Sequence, residues 1–219
     1  MSASIETVCV GQIREYGCAG DALDPAWTTA FFKTPVAGPV AIGRDGVVGD
    51  AQADRRFHGG ADKAILAYSA DHLAQWGLDL GEPHMQAGGF GESFSCSGVD
   101  ERSVCVGDRW RAGDVVLEVS QPRQPCWKLG RRWRRPQLVK QVVETGRTGW
   151  YLRVIEPGQL SAPAAIEVVE RPHPDWTIAR ANDIFYRRRN DMSAIRELIA
   201  LPQLSDAWRD DLARHLQGA

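Results

Sequence analysis

The stretch "VCVGDRWRAGDVVLEVSQPRQPCWKLG", Val104 to Gly130, decides how the rest of the chain is read. Two apolar runs, Val104–Trp110 and Val115–Ser120, flank "RAGD", whose Gly and Asp suit a tight connection, so the pattern predicts two strands joined by a turn. Prolines 122 and 125 then take the backbone out of regular strand structure, because proline has no N–H to give a ladder. Directly after them comes Cys126, with Arg123 and Lys128 close by.

Outward from this hairpin the same regime continues. Short apolar stretches cut by Gly and Pro predict strands at Thr7–Ile13, Pro39–Ile42, Ala64–Tyr68, Trp150–Ile155 and Ala165–Glu170, with "EPGQ" at 156–159 as a further turn. Two helices interrupt them. One starts at the N-cap Ser69, turns Ala70, Leu73 and Trp76 inward and closes at Gly77. The other starts at Pro136, carries Leu138, Val139, Val142 and Val143, and ends at Gly146.

After "ERPHPDW" the period changes from two to about 3.6. Thr177, Asp191 and Ser205 each precede an amphipathic run, and Pro202 stops the second of these. The expectation is a mixed α/β, β-rich domain over 1–172 and a three-helix segment over 173–219. The helices alone are too few to bury a core, so they should pack on the β-rich part or on a second copy.

The 219 residues carry a net charge of −2, which argues against a general polyanion binder. Among the basic residues are 22 arginines and only four lysines, and arginine is suited to forked recognition of phosphate. Five cysteines (9, 18, 96, 105, 126) form no CxxC pair and no Cys–His zinc spacing, which fits a reducing compartment. No basic-then-apolar leader is visible, and no apolar run approaches the roughly 18 residues of a membrane span. A cytoplasmic protein is expected.

Four clusters carry candidate chemistry. In "GDAQADRRFHGGADKAILAYS", Arg55, Arg56, His58 and Lys63 bracket a Gly–Gly turn able to bring successive N–H groups round an anion; the bland reading is a solvated turn. "GGFGESFS", 88–95, has three glycines, an acid and hydroxyls, but no Walker lysine. Cys9, Cys96 and Cys105 read as buried fillers. Cys126 differs: flanking cations favour a thiolate, and the residues alone leave it as filler, nucleophile or soft-metal ligand. The basic run "KLGRRWRR", 128–135, is a solvated face or a surface that stacks on bases. His72 and His173 read as structural, and the arginines at 187–189 as compensation of a helix dipole.

In combination the clusters form an ordered set: "GVVGD" (46–50), "RFHGGADKAI" (56–65), "GGFGE" (88–92), "VCVGDRW" (104–110) and "PRQPCWKL" (122–129). This set resembles the MOSC domain found at the C-terminus of molybdenum cofactor sulfurases. "GRTGWYLRV" (146–154) and "RPHPDWTIARAN" (171–182) narrow the likeness to the YiiM type, which has a C-terminal three-α domain; the similarity runs from about Val8 to Leu216.

The resemblance implies a β-barrel-like domain that holds molybdopterin-bound molybdenum with a cysteine thiolate as ligand. It further implies reductive removal of oxygen from N-hydroxylated compounds, such as the purine base 6-hydroxylaminopurine, and a homodimer. Matched by motif, the metal ligand is Cys126. Arg56, His58, Gly59, Lys63, Glu92, Ser93, Arg123 and Arg147 are the residues expected to hold the pterin and its phosphate, and His58 is the expected proton donor. Ser93 and Gly130 stand where the family often has Asn. No flavin, haem or iron–sulfur signature is present, so electrons would come from a separate flavoprotein or flavodoxin-type carrier. Rival readings are a non-catalytic cofactor carrier, a nucleic-acid binder using 128–135, and a cysteine hydrolase pairing Cys126 with His58.

Overall fold

In the computed structural model, which describes residues 2–21, 24–54 and 59–217, "RAGD" closes the expected hairpin. The strands are β1 (Ser4–Gly11), β2 (Arg14–Tyr16), β3 (Trp27–Thr29), β4 (Lys33–Pro35), β5 (Pro39–Gly43), β6 (Gly46–Val47) and β7 (Ile65–Ser69). They continue with β8 (Phe94–Ser97), β9 (Arg109–Ala112), β10 (Val115–Pro122), β11 (Trp150–Glu156), β12 (Gly158–Ser161), β13 (Ala164–Ala165) and β14 (Glu167–Glu170). The helices are α1 (Ala70–Leu80), α2 (Trp127–Arg132), α3 (Leu138–Thr145), α4 (Ile178–Tyr186), α5 (Met192–Ile199) and α6 (Asp206–Gln217).

The largest sheet runs β13-β1-β8-β7-β11-β10-β9-β14, with β4 also paired to β1, and curls into a half-barrel. Its one parallel pair, β7 with β8, needs a crossover, and α1 supplies it. All eight residues of β10 are buried. Both faces of that strand are therefore covered, which is why it reads as a near-continuous apolar run rather than an alternating one.

The three C-terminal helices begin where expected. Thr177 Oγ1 accepts from Arg180 N, Asp191 Oδ1 from Ala194 N, and Ser205 Oγ from Trp208 N. Ile178, Ile184, Ile195, Leu198, Trp208 and Leu212 join the same hydrophobic cluster as Trp110, Leu117 and Trp150 of the sheet. The helical segment thus lies on the β-rich part of its own chain. Fully burying one such side chain contributes about 1.5–3 kcal/mol, so these six together weigh as much as a typical domain's net stability.

Four local expectations differ. The strand expected from Val104 starts only at Arg109, because 104–108 pairs elsewhere: Val106 N donates to Trp176 O and Ile178 N to Val104 O. The buried Asp108 carboxylate then accepts from Cys105 N and holds Arg171. Helix α1 runs past Gly77 to Leu80 and ends on Gly81, which takes the left-handed conformation at φ 65°. The strand expected at Ala165–Glu170 is split at Ile166, whose N–H goes to Ala3 O. Part of the basic run forms the unexpected helix α2. No described helix is long and apolar enough to cross a membrane.

Candidate functional site

Strand β10 leaves the sheet at Pro122, and the next residue is still tied to it, since Arg123 N donates to Gly149 O at 3.0 Å. The Arg123 side chain is nearly buried; its Nη2 donates to Phe90 O at 3.1 Å and its Nη1 to Thr148 O at 3.5 Å. The guanidinium is held by two carbonyls, and no carboxylate among the described residues pairs with it. Pro125 keeps the segment extended, and Cys126 (φ −112°, ψ 165°) becomes the residue before the first turn of α2. Cys126 is half-buried. Burial pushes the Cys9 thiol up to about 12 and raises those of Cys96 and Cys105, so these three remain protonated fillers.

Opposite the cysteine loop, Gly91 (φ 76°) and Ser93 form another wall. Glu92 between them turns inward. Its carboxyl is fully buried and accepts from Gly88 N at 2.5 Å and Phe90 N at 2.8 Å. Burial raises its pKa while these N–H groups oppose the rise. Glu92 therefore shapes the glycine loop from behind and does not line the cleft.

Ser93 Oγ accepts from Lys33 Nζ at 2.7 Å and donates to Asp50 Oδ2 at 3.2 Å, and Lys33 pairs with Asp50. Asp50 is fixed in turn by Gly11 N at 2.8 Å. This closed triangle joins β4, the 46–50 turn and the glycine loop. Lys63 lies on the short 3-10 turn Ala61–Lys63; burial lowers its pKa, and Asp211 and Asp62 oppose that.

These walls form a cleft that opens to solvent. Cys126, Arg123, Lys63, Lys33, Lys128 and Ser93 line it, together with Gln52 and Tyr151. Gln52 Oε1 is buried and has no hydrogen-bond partner among the described residues. Gly59 takes φ 110°, which side-chain-bearing residues rarely adopt, so the chain favours glycine there; a Cβ would also push aside the Gln52 amide 2.5 Å away. One thiol facing an excess of cations, beside an unsatisfied amide, is a donor set for a soft metal attached to an anionic tail. The residues present fit a molybdenum cofactor.

The family model of the MOSC domain matches residues 54–167, and that of the YiiM-like, 3-alpha helix domain matches residues 176–219. The chain belongs to the MOSC family. The MOSC domain here resembles protein YflK of Bacillus subtilis strain 168, with 38% identity over 83% of this chain and 81% of that one. It is also 33% identical to a protein of Gibberella moniliformis named "Reductase", over 95% of this chain but only 37% of that longer protein. Among solved structures, YiiM from Geobacillus stearothermophilus superimposes with a TM-score of 0.82 at 35% identity, covering 98% of this chain and 99% of that one.

Of the expected site residues, the MOSC cleft brings together Cys126, Lys63, Ser93 and Arg123, with Gly59 against its Gln52 wall. Arg56 and His58 lie outside the described residues. Arg147 lines a different cavity; it pairs with Asp79 at 2.8 Å and stacks 3.9 Å from the Trp76 ring centre. Sequence reasoning missed Lys33, Asp50 and Gln52. Lys33 follows two phenylalanines as an isolated charge, and nothing local marks it. "GVVGD" did include Asp50, but as a motif letter without a role.

Much of the basic run is engaged inside the MOSC fold. Arg131 reaches Asp24 and lies 4.9 Å from the Trp27 ring centre, and Arg132 donates to Phe31 O and Gly88 O. Arg135 reaches Glu82 at 3.3 Å, and Lys128 is nearly buried on the cleft wall.

Proposed function

We propose that this MOSC protein is a molybdenum-cofactor-dependent reductase of N-hydroxylated compounds, purine bases such as 6-hydroxylaminopurine among them. The observation that carries this reading is Cys126 on the wall of a cleft where cations outnumber carboxylates. Likeness to a fungal protein named "Reductase" supports an oxidoreductase. When bound, the cofactor supplies two-electron removal of oxygen, which no side chain can perform.

The chain's own residues then have distinct tasks. Cys126 supplies a thiolate to the metal, and its proline neighbours limit how far the sulfur can move. Arg123, Lys63 and Lys128 attract the anionic pterin tail, while the Gly59 turn lets backbone come close to it. Gln52 Oε1 would be available to accept a hydrogen bond from the bound group.

Reduction of R–NHOH to R–NH₂ and water takes up two electrons and two protons. Lys33 and Ser93 can hold protons at the cleft wall, and His58 adds a further candidate. Electrons come from a separate flavoprotein or flavodoxin-type carrier, and the protein works as a homodimer in the cytoplasm.

Reduced methyl viologen and 6-hydroxylaminopurine test the proposal with protein from a cofactor-producing host. Adenine should form with wild type and not with Cys126→Ser. Bound cofactor with no turnover would replace the reductase by a cofactor carrier. Equal turnover by the serine variant would remove Cys126 from its role.

A further inference from the structure

Three hydrogen bonds connect the cysteine-bearing segment to the C-terminal helices. Ser205 N donates to Ser120 O at 3.0 Å, and Ser205 Oγ donates to Gln121 Oε1 at 2.7 Å with both residues fully buried. Further along, Gln124 Nε2 donates to Asp211 Oδ2 on α6 at 2.8 Å. Gln121 and Gln124 lie five and two residues before Cys126. Between them Arg123 is held by the sheet side, through Phe90 O and Thr148 O. The segment from Ser120 to Gln124 is therefore gripped alternately by the helical segment and the β-rich domain.

Asp211 has a second connection to the cleft, because its charge favours the protonated form of Lys63. One carboxylate on α6 thus accepts from the amide beside the cysteine loop and lends favourable charge to a cation on the cleft wall. Neither of these tasks is needed to close the hydrophobic core. Asp211 is partly exposed and also pairs with Arg214 one turn away, so its removal leaves no buried charge.

We infer that the three-helix segment is a working part of the cleft, in which Asp211, acting through Gln124, and Ser205, acting through Gln121, are positioning residues for Cys126. The inference rests on Cys126 being the working thiol, but its readout needs no metal and no turnover. Deleting the helices would be a poor test, because it would strip a shared core. Point variants keep the core.

The experiment measures the rate of Cys126 alkylation by iodoacetamide in the full chain, produced in a host that makes no molybdenum cofactor. A Cys18→Ser background removes the exposed competing thiol, since the other three are buried. Asp211→Leu and Gln124→Leu should each speed alkylation about fivefold, the loss of one hydrogen bond's worth of restraint. Asp211→Asn keeps an acceptor for Gln124 and should return the rate toward wild type. The double variant should fall well short of the product of the two single effects, because both cut the same link, although Asp211→Leu also ends the influence of Asp211 on Lys63. Unchanged or slower alkylation in both leucine variants, at an unchanged melting temperature, overturns the inference. So does a double variant whose effect is the product of the two single effects. A chain with no reductase activity would leave this result standing, so the two failures are distinguishable.

Discussion

The cleft and a second cavity, the latter lined by Gly146 and Arg147 of the "GRTG" turn, have their charges arranged in opposite ways. Described charged residues lining the cleft are Lys33, Lys63, Arg123 and Lys128 against Asp54. Those lining the other cavity, at the seam between α1, the 143–147 turn and α4, are Arg102, Arg147 and Arg187 against Asp100, Glu101 and Asp183. Three against three is the balance expected of groups that hold a fold together. Arg147 shows this directly, with Asp79 on its edge and Trp76 on its face. Even with Lys33 held by Asp50, cations outnumber carboxylates on the cleft lining, which leaves positive potential inside a concave site where anions are drawn in. The difference teaches that an arginine in a conserved-looking motif says little until its counter-charges are known.

The sharpest way to break this comparison is Cys126→Ser. N–O cleavage should disappear while the melting temperature stays put, because half-buried Cys126 belongs to neither hydrophobic core cluster. A large loss of stability would move Cys126 to the structural side of the ledger.

Next in size is Lys33→Met. Lys33 and Asp50 are almost buried, and removing one partner strands the other's charge, so unfolding should become easier by about 3 kcal/mol or more. Lys33→Met combined with Asp50→Leu should recover most of that in denaturant titration. Failure to recover would mean that the triangle with Ser93, not the ion pair, carries the stability.

Arg147→Met addresses the seam. Loss of one ion pair and one cation–π contact predicts about 1–2 kcal/mol of destabilisation, with molybdenum content of the purified protein close to wild type. A marked drop in metal content at unchanged stability would give Arg147 a place in cofactor binding after all.

The last effect shows only at alkaline pH and should be alike in both cavities. Burial pushes the phenols of Tyr151, on the cleft, and Tyr186, at the seam, up to about 12, against an ordinary 10.0. The unfolded chain gives up these protons first, so the contribution is full below pH 10 and is lost as pH rises toward 12. Tyr151→Phe and Tyr186→Phe should each flatten the fall of stability over that window. A steeper fall in either would show that its phenol is charged in the fold.

How much of this was legible beforehand differs by element. Caps at Thr177, Asp191 and Ser205 are local chemistry, visible without knowing what the helices touch. Strands β7, β10 and β11 announce themselves by composition. The break at 104–108 was invisible, because it depends on pairing with 176–178 from the far end of the chain. The same holds in the cleft. Cys126 and Arg123 share a segment with two prolines, so their meeting could be anticipated, whereas Lys33, Asp50 and Gln52 reach the cleft only through tertiary folding. Glu92 lies in the right motif, yet its side chain faces away, bound by its own loop. Motif reading finds which segments meet; side-chain direction comes from hydrogen-bond partners that spacing does not encode.

Molybdenum K-edge absorption on wild type and Cys126→Ser, both from a cofactor-producing host, tests the central claim most directly. The account predicts a molybdenum-bearing wild type whose metal loses one sulfur neighbour in the variant. Identical sulfur coordination in the two proteins would contradict it.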